Sequence, residues 1–362
     1  MRVLYVLRYY PTLTETFVYN EIEAIRLMYP QTAIEIAALG TRSDGATQDR
    51  LPSVPVHRVP RRPLVGRLQR PSAGLRWLRA HQRPKDAARL PWLAARLDGI
   101  DHIHVHFAGE AAEWAHALWL DRGIPYTVMV HAVDLFRPRP SLSAVLSGAR
   151  AVLTIAGHHV QRLSALGIAA RLVRCGPPLE SFAAPEPPAP GPLRGLFVGR
   201  NVPKKGLDTL LAAWAGAPQG ARLEVISTLS GPAPPGVTVL GPQPSSAVRA
   251  ALWRSNVTIL PCRQAPDGDL DGVPVVLMES LAAGRPVITT PVSGIPELVD
   301  DSVGWLVPPG DAAALREALV AASDSTQRTA RGAAGPGQLR ARGFTLRHQA
   351  AGVYRSWRSM AD

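Results

Sequence analysis

The stretch Asp271-Gly-Val-Pro-Val-Val-Leu-Met-Glu-Ser-Leu-Ala-Ala-Gly-Arg-Pro-Val-Ile288 reads as a loop, a helix and the start of a strand. Pro274 suits the first turn of a helix, where a backbone N–H has no partner to lose. Gly284 and Pro286 stop the helix, because glycine takes a left-handed cap cheaply and proline cannot continue one. Residues 257–260 before it and 287–290 after it are short apolar runs rich in β-branched side chains. A helix between two such runs is the repeating unit of a parallel α/β sheet.

Working outward, the alternation holds. Further strand runs are residues 196–198, 223–226, 237–240 and 305–307, and in the first half 3–7, 34–39, 103–107, 126–130, 152–155 and 172–174. Leu207, Leu210, Leu211 and Trp214 fall at helical spacing, Asp311 stands as an N-cap, and a last helical pattern covers 346–357. Residues 183–192, Ala-Ala-Pro-Glu-Pro-Pro-Ala-Pro-Gly-Pro, fit neither helix nor central strand and read as a semi-rigid linker. The expected fold class is therefore α/β, with two Rossmann-like doubly wound domains facing a central cleft. The expected boundaries are 1–184, a linker at 185–192, 193–343, and a terminal helix at 344–362 crossing back to the first domain. In such sheets ligands bind beyond the carboxyl ends of the strands, so the loops there are the places to search.

Composition narrows the class. Of 362 residues, 46% are hydrophobic and 19% charged, which suits globular domains and excludes a disordered chain. Cys175 and Cys262 are the only cysteines, too few for a disulfide framework or a four-cysteine zinc site. The first apolar run, residues 3–7, is too short for a signal-peptide core, and no run reaches the ~18 residues of a membrane span. A cytoplasmic protein, soluble or peripheral to the membrane, is the expectation. The net charge of +12 is uneven: residues 51–100 hold 11 Arg and Lys against Asp86 and Asp98. The rest of the chain is nearly neutral, which argues against nucleic acid as the partner. From Arg58 to Arg96 the charges interleave with Leu64, Val65, Leu68, Leu75, Trp77, Leu78, Leu90, Trp92 and Leu93. That mixture suits an anionic membrane surface, with Trp and Leu inserting and Arg meeting lipid phosphates.

Two motifs carry chemistry. The amides of Gly272, Val273, Val275 and Val276 form the positive end of the helix, a phosphate site. Asp271 stands ahead of that end and Glu279 within the helix; each carboxylate can accept hydrogen bonds from sugar or ribose hydroxyls. The second motif is Gly199-Arg200-Asn-Val-Pro-Lys-Lys205-Gly206, directly after a strand run. Its guanidinium and ammonium groups can meet on one diphosphate and offset charge on a leaving group.

Together these motifs resemble the retaining glycosyltransferases of family 4, with the GT-B fold. Residues 14–22 (Thr-Glu-Thr-Phe-Val-Tyr-Asn-Glu-Ile), 104–107 (His-Val-His-Phe), 131–136 (His-Ala-Val-Asp-Leu-Phe) and 267–274 (Asp-Gly-Asp-Leu-Asp-Gly-Val-Pro) are similar to the colanic-acid and exopolysaccharide branch. The resemblance implies that Arg200 and Lys205 grip the donor diphosphate beside Gly199. It implies that Glu279 binds the ribose hydroxyls, and that Asp271 faces the transferred sugar with the loop amides. His131 would lie over the sugar, and Thr14, Glu15, Thr16 and His106 would line the acceptor side. The implied reaction takes a sugar from a nucleotide-sugar donor, with UDP the expected nucleotide, to a saccharide or lipid-linked saccharide. It proceeds with retention at the anomeric carbon, and neither metal nor cofactor is expected. A small natural product as acceptor, and a nucleotide-sugar-binding module without catalysis, are the alternatives.

Four positions depart from the family pattern. Asp271 stands where glutamate is usual, and a Gly-Gly loop after the first strand is replaced by Tyr9-Tyr-Pro-Thr-Leu-Thr-Glu15. The segment 227–235 lacks a Gly-x-Gly, and Pro177-Pro178 replace the usual Val-Asp. Asp267, Asp269 and Asp271 open like a calcium loop, but Met278 stands where its final glutamate belongs. His102, His104 and His106 alternate along one strand and share a face, the pattern of a metal comb or of a strand end at a site.

Overall fold

Parallel strands cannot be joined by tight turns, so each pair needs a crossover and the sheet is covered on both faces. The computed structural model shows two such sheets. It describes residues 1–41, 48, 51–61, 72–82, 84–184, 191–229 and 231–358. The first sheet contains β1 (Arg2–Tyr9), β2 (Ala33–Gly40), β3 (Val56–Arg58), β4 (His102–His106), β5 (Tyr126–Val130), β6 (Ala151–Thr154) and β7 (Ala170–Leu172). Its order is β3-β2-β1-β4-β5-β6-β7. The second contains β8 (Arg194–Val198), β9 (Arg222–Ile226), β10 (Val237–Val239), β11 (Val257–Leu260), β12 (Val287–Thr289) and β13 (Gly304–Leu306), ordered β10-β9-β8-β11-β12-β13. All pairings are parallel. The order reverses between β1 and β4 in one sheet and between β8 and β11 in the other. These are the two switch points.

The chain divides into two units, Met1–Val173 with Ala350–Asp362, and Arg174–Gln349. The division falls ahead of the proline-rich run that the sequence offers as a linker, most of which (185–190) lies outside the described residues. The short helix Leu179–Phe182 belongs to the second unit, where Trp253 Nε1 donates to the Phe182 carbonyl at 2.9 Å. The last helix, Leu346–Arg358, returns to the first unit from Ala350 onward. There Tyr354 stacks on Tyr29 at 3.7 Å and Trp357 meets the edge of Tyr5 at 6.1 Å.

The described leucines of the basic segment Arg58–Arg96 are interior, whereas most of its described charged residues are not. Leu75, Leu78, Leu90 and Leu93 lie in the core of the first unit, and Trp77 and Trp92 pack against it. Arg89 is buried and donates to the carbonyls of Pro60 (2.8 Å), Val59 (3.2 Å) and Leu39, tying the helix to the strand ends. Arg76 and Arg79 stay exposed. The described leucines, at i and i+3 on two helices, thus turn inward and are not available to a lipid surface. Leu64, Val65 and Leu68 lie outside the described residues. Among the described residues no helix is long and apolar enough to cross a membrane.

Helix Val275–Ala282 is held by close crossing of helix Ser325–Ala341, whose composition gave no helical signal. A Cβ on Gly335 would lie 2.6 Å from the Leu281 carbonyl oxygen, so only glycine permits this approach. At the second switch point, Gly206 ends the 3-10 turn Pro203–Lys205 with φ of 66° and caps helix Leu207–Trp214. A Cβ there would sit 2.0 Å from the Pro261 carbonyl oxygen. Gly206→Ala should therefore destabilise the chain by about 1–3 kcal/mol, the cost of a strained left-handed residue, seen as a lower urea midpoint. An unchanged midpoint would mean that the turn yields without strain.

Candidate active site

In the second unit the loops after β8 and β11 meet beside the switch point. The Lys205 ammonium lies 2.8 Å from Asp271 Oδ2, while Lys204 lies 3.0 Å from Asp269 and 3.4 Å from Asp271. Burial works to lower the Lys205 pKa, but Asp271 outweighs it and the opposing charge of Arg200, leaving it raised. Burial likewise works to raise the Asp271 carboxyl; Lys205 and Lys204 prevail and hold it below the usual carboxylate range. Cys262, buried beside this cluster, has its thiol pushed up by burial and by Asp271, so it is no nucleophile. Arg200 is exposed at the start of the turn, near enough for its charge to press on Lys205. The Lys205 stem runs along Gly199, where a Cβ would find its carbons at 3.5 Å.

The helix opens one residue later than the sequence indicates. Pro274 is its N-cap, with ψ of 130°, and Val275 is its first residue. The amides of Val275 and Val276 belong to its first turn, whereas those of Gly272 and Val273 lie in the loop before it. Glu279 is buried, and burial alone raises its pKa to about 7. Among the described residues no side chain pairs with it. A buried acid without a cation is costly and marks a place where a ligand hydroxyl belongs.

In the first unit, β4 brings His102, His104 and His106 to one face, all buried. Parallel register sets His104 beside Tyr5 of β1 and Thr127 of β5. His106 Nε2 and the Tyr5 hydroxyl lie 3.1 Å and 2.8 Å from Glu21 Oε1, and His104 Nε2 lies 3.5 Å from it. His106 Nδ1 faces His131 Nε2 at 3.2 Å. Glu21, His104 and His106 offer three ligand atoms within 4.8 Å of one another. His131 caps helix Ala132–Phe136, with its N–H donating to Asp134 at 2.9 Å. Glu15 stands as N-cap to helix Thr16–Met28, Thr16 is its first residue, and Thr14 is exposed just before it.

Each candidate residue thus sits at or beside a strand's carboxyl end or on the helix that follows. Gly199, Arg200, Lys205, Asp271, Gly272, Val273, Val275, Val276 and Glu279 share the second unit; Thr14, Glu15, Thr16, His106 and His131 share the first. Asp271 already has partners in place, since both lysines engage it. Sequence reasoning passed over Lys204, Asp269 and Glu21. The doubled lysine and the repeated Asp were visible, but only the turn geometry pairs them.

Residues 193–325 match the family model of the glycosyl transferases group 1. The putative colanic acid biosynthesis glycosyltransferase WcaL of Escherichia coli (strain K12) is 50% identical over 88 residues, 24% of this chain and 22% of that one. Its counterpart in Salmonella typhimurium (strain LT2) is 32% identical over 246 residues, 60% of each chain. This chain therefore spans between about a fifth and three fifths of the length of these curated relatives. HepE of Anabaena, solved with UDP and glucose, has a TM-score of 0.77 at 15% identity, over 99% of this chain and 100% of that one. The fold is GT-B, two parallel-sheet α/β domains, as the motifs imply.

The raised Glu279 pKa makes a signed prediction. Its folded value, about 7, exceeds the ordinary 4.5. The stabilisation this gives is complete below about pH 4.5 and lost as pH climbs to about 7. Glu279→Gln should thus gain about 2–4 kcal/mol relative to wild type between pH 4.5 and 7.5, at ~1.4 kcal/mol per unit. Urea unfolding at the two pH values measures it; parallel behaviour of the two proteins would return Glu279 to an ordinary solvated acid.

Proposed function

We propose, for a chain that belongs to the group 1 glycosyl transferases through its second unit, that it moves a sugar from a nucleotide-sugar donor to an acceptor in exopolysaccharide synthesis. The observation that carries this reading is the second switch point, where Lys205 and Arg200 stand with the helix that holds unpaired Glu279. Two cations and a helix N-terminus suit a diphosphate, and a buried carboxylate suits ribose hydroxyls. As the glycosidic bond to the diphosphate breaks, negative charge grows on the leaving oxygen. Lys205, Arg200 and the Val275 and Val276 amides offset it without reorganisation. Because two cations already face that charge, no metal is needed. Asp271 keeps Lys205 charged and aimed, and yields one lysine when the donor sugar arrives.

A UDP-sugar donor is supported by HepE, which was solved with UDP and with UDP-glucose. The acceptor is a saccharide or lipid-linked saccharide, and transfer retains the anomeric configuration, both as the family resemblance implies. That His131 lies over the sugar and that Thr14, Glu15, Thr16 and His106 line the acceptor side is likewise what the resemblance implies. A peripheral position at the inner membrane face rests on charge alone, because the described leucines of the basic segment are interior.

Transfer should persist in excess EDTA, and Arg200→Ala should lower turnover by about 10²–10³, the scale of one preorganised transition-state contact. Arg200 is exposed, so folding should survive. Nucleotide release followed by chromatography, with linkage read by NMR, checks both. Activity within about threefold of wild type would remove the diphosphate assignment, and complete loss in EDTA restored by Mg²⁺ or Mn²⁺ would make the enzyme metal-dependent.

Co-sedimentation with anionic vesicles should be salt-sensitive and fall when Arg76 and Arg79 become Gln, at about 1 kcal/mol per basic residue. Trp77→Ala should change it little, since that ring is stacked on His81 at 4.0 Å. Equal recovery in the supernatant with and without anionic lipid would leave a soluble acceptor as the better reading.

A further inference from the structure

Phe107 departs from the strand it follows. Along β4 the side chains alternate, so His102, His104 and His106 share one face while Ile103 and Val105 go to the core on the other. By that alternation Phe107 belongs with Ile103 and Val105. Its backbone instead takes a φ of 69°, a left-handed conformation that is costly for a bulky side chain. The ring lies on the side of the histidines, 4.4 Å from His131 and 6.2 Å from Phe17 between centroids. Phe17 in turn packs on His106 at 5.6 Å.

The surroundings hold this conformation. The Phe107 amide donates to the Met129 carbonyl at 2.9 Å, and the amide of buried Ala108 bonds to the Asp134 carboxylate. Gly109 then caps helix Glu110–Arg122. A glycine at 107 would make the same turn without strain, so what the strain secures is the position of an aromatic ring. That position is the first switch point: Phe107 follows β4, and Phe17 is the second residue of the helix that follows β1. Both rings are half-buried, and there is room beside them. The nearest described atom to a Cβ on Gly109, its chain neighbours apart, would be Arg139 Cδ at 4.0 Å. Polar groups flank the rings. Arg8, near the end of β1, pairs at 3.0 Å with Glu110, the first residue of the helix after β4, and its side chain stays 57% exposed.

We propose that Phe107 and Phe17 form a stacking platform for a pyranose ring of the acceptor, with the Arg8–Glu110 pair meeting its hydroxyls. The proposal deepens the glycosyltransferase reading and rests on its assignment of the first unit to the acceptor. A pyranose carries C–H groups on its faces and hydroxyls around its rim. Aromatic faces are weakly negative and attract the C–H face, while a carboxylate accepts from the rim and a guanidinium donates to it. Rings alone would suit any apolar ligand; the charged pair beside them selects one with hydroxyls.

Ring-labelled ¹³C-phenylalanine reads the platform directly, since the chain has six phenylalanines and Phe107→Leu and Phe17→Leu identify the two signals. Titration with the methyl glycosides of glucose, galactose and mannose should shift both signals saturably for at least one sugar, whose ring protons should move upfield. Phe107→Ala should weaken that binding at least about tenfold, and Phe107→Tyr should keep it within about threefold of wild type. Phe107→Gly should lose the sugar as the alanine variant does, yet show the higher urea midpoint of the two, the reverse of the usual order. With a nucleotide-sugar donor and the same glycoside as acceptor, Phe107→Ala should raise acceptor KM and leave donor KM within about threefold. Signals unmoved by all three sugars overturn the proposal, as does an alanine variant that binds as wild type does. A glycine variant no more stable than the alanine variant overturns it too, because the ring would then cost the backbone nothing. If the sugar binds as stated and none is transferred, the platform stands and the glycosyltransferase reading falls. Transfer with acceptor KM unchanged in Phe107→Ala has the opposite meaning.

Discussion

A parallel sheet lets a ligand approach its strand ends most closely where neighbouring crossovers depart in opposite directions. Each unit has one such place, between β1 and β4 and between β8 and β11. The remaining features serve to keep those ends open and fixed. Gly206 lets the turn after β8 pass against Pro261, and Gly335 lets a long helix lie close on helix Val275–Ala282. Buried central strands leave little room for adjustment, since β4 and β5 are buried at every residue. Chemistry is thereby confined to loops whose bases cannot move.

Charges behave differently at the two switch points. In the second unit Lys204, Lys205, Asp269 and Asp271 neutralise one another, so the desolvation of each is met by a partner a few ångströms away. Among the described residues Glu279 has no such partner. Asp134 in the first unit is also pushed up by burial, to about 6, but backbone amides of His131 and Ala108 work against that shift. The contrast makes Asp134 a part of the local structure and Glu279 a group waiting for something that donates. In the first unit the balance is struck with neutral imidazoles: burial brings His102 and His104 down to about 3.

The strands were legible because β-branched runs recur at α/β spacing, and β5 coincides with its sequence reading at residues 126–130. Strand β3 was hidden, being three residues inside a basic segment with only Val56 to mark it. Helix Ser325–Ala341 was hidden too, because Gly332, Gly335, Gly337 and Pro336 argue locally against a helix. Tertiary contact reverses that preference at Gly332 and Gly335, where the missing side chains are what allow the crossing. The basic turn from Gly199 to Gly206 was readable as charge after a strand. The pairing of Asp271 with two lysines was not, since it depends on a turn returning across the next strand's loop. Nor was Glu21, which on its helix looks like any amphipathic acid until β4 places two histidines against it.

The basic segment shows why composition locates charge more reliably than it locates apolar surface. Leu75 and Leu78 sit on one helix with Arg76 and Arg79 between and after them, and the spacing admits an interfacial helix or a core-facing one equally. What decides is the covering partner. Helix Glu110–Arg122, with Trp114 fully buried, supplies a surface for Leu75 and Leu78. Gly74 fits against the Ala117 carbonyl of that helix, and its amide donates to Asp121 at 2.6 Å. Once the leucines are committed there, the outward face of the same helix is polar by default. Attraction between that face and an anionic surface then falls off over a Debye length, roughly 8–10 Å at physiological salt, with no apolar insertion among the described residues to anchor it. Contact of that kind would concentrate a protein near an anionic surface without fixing its depth, whereas apolar insertion would fix both.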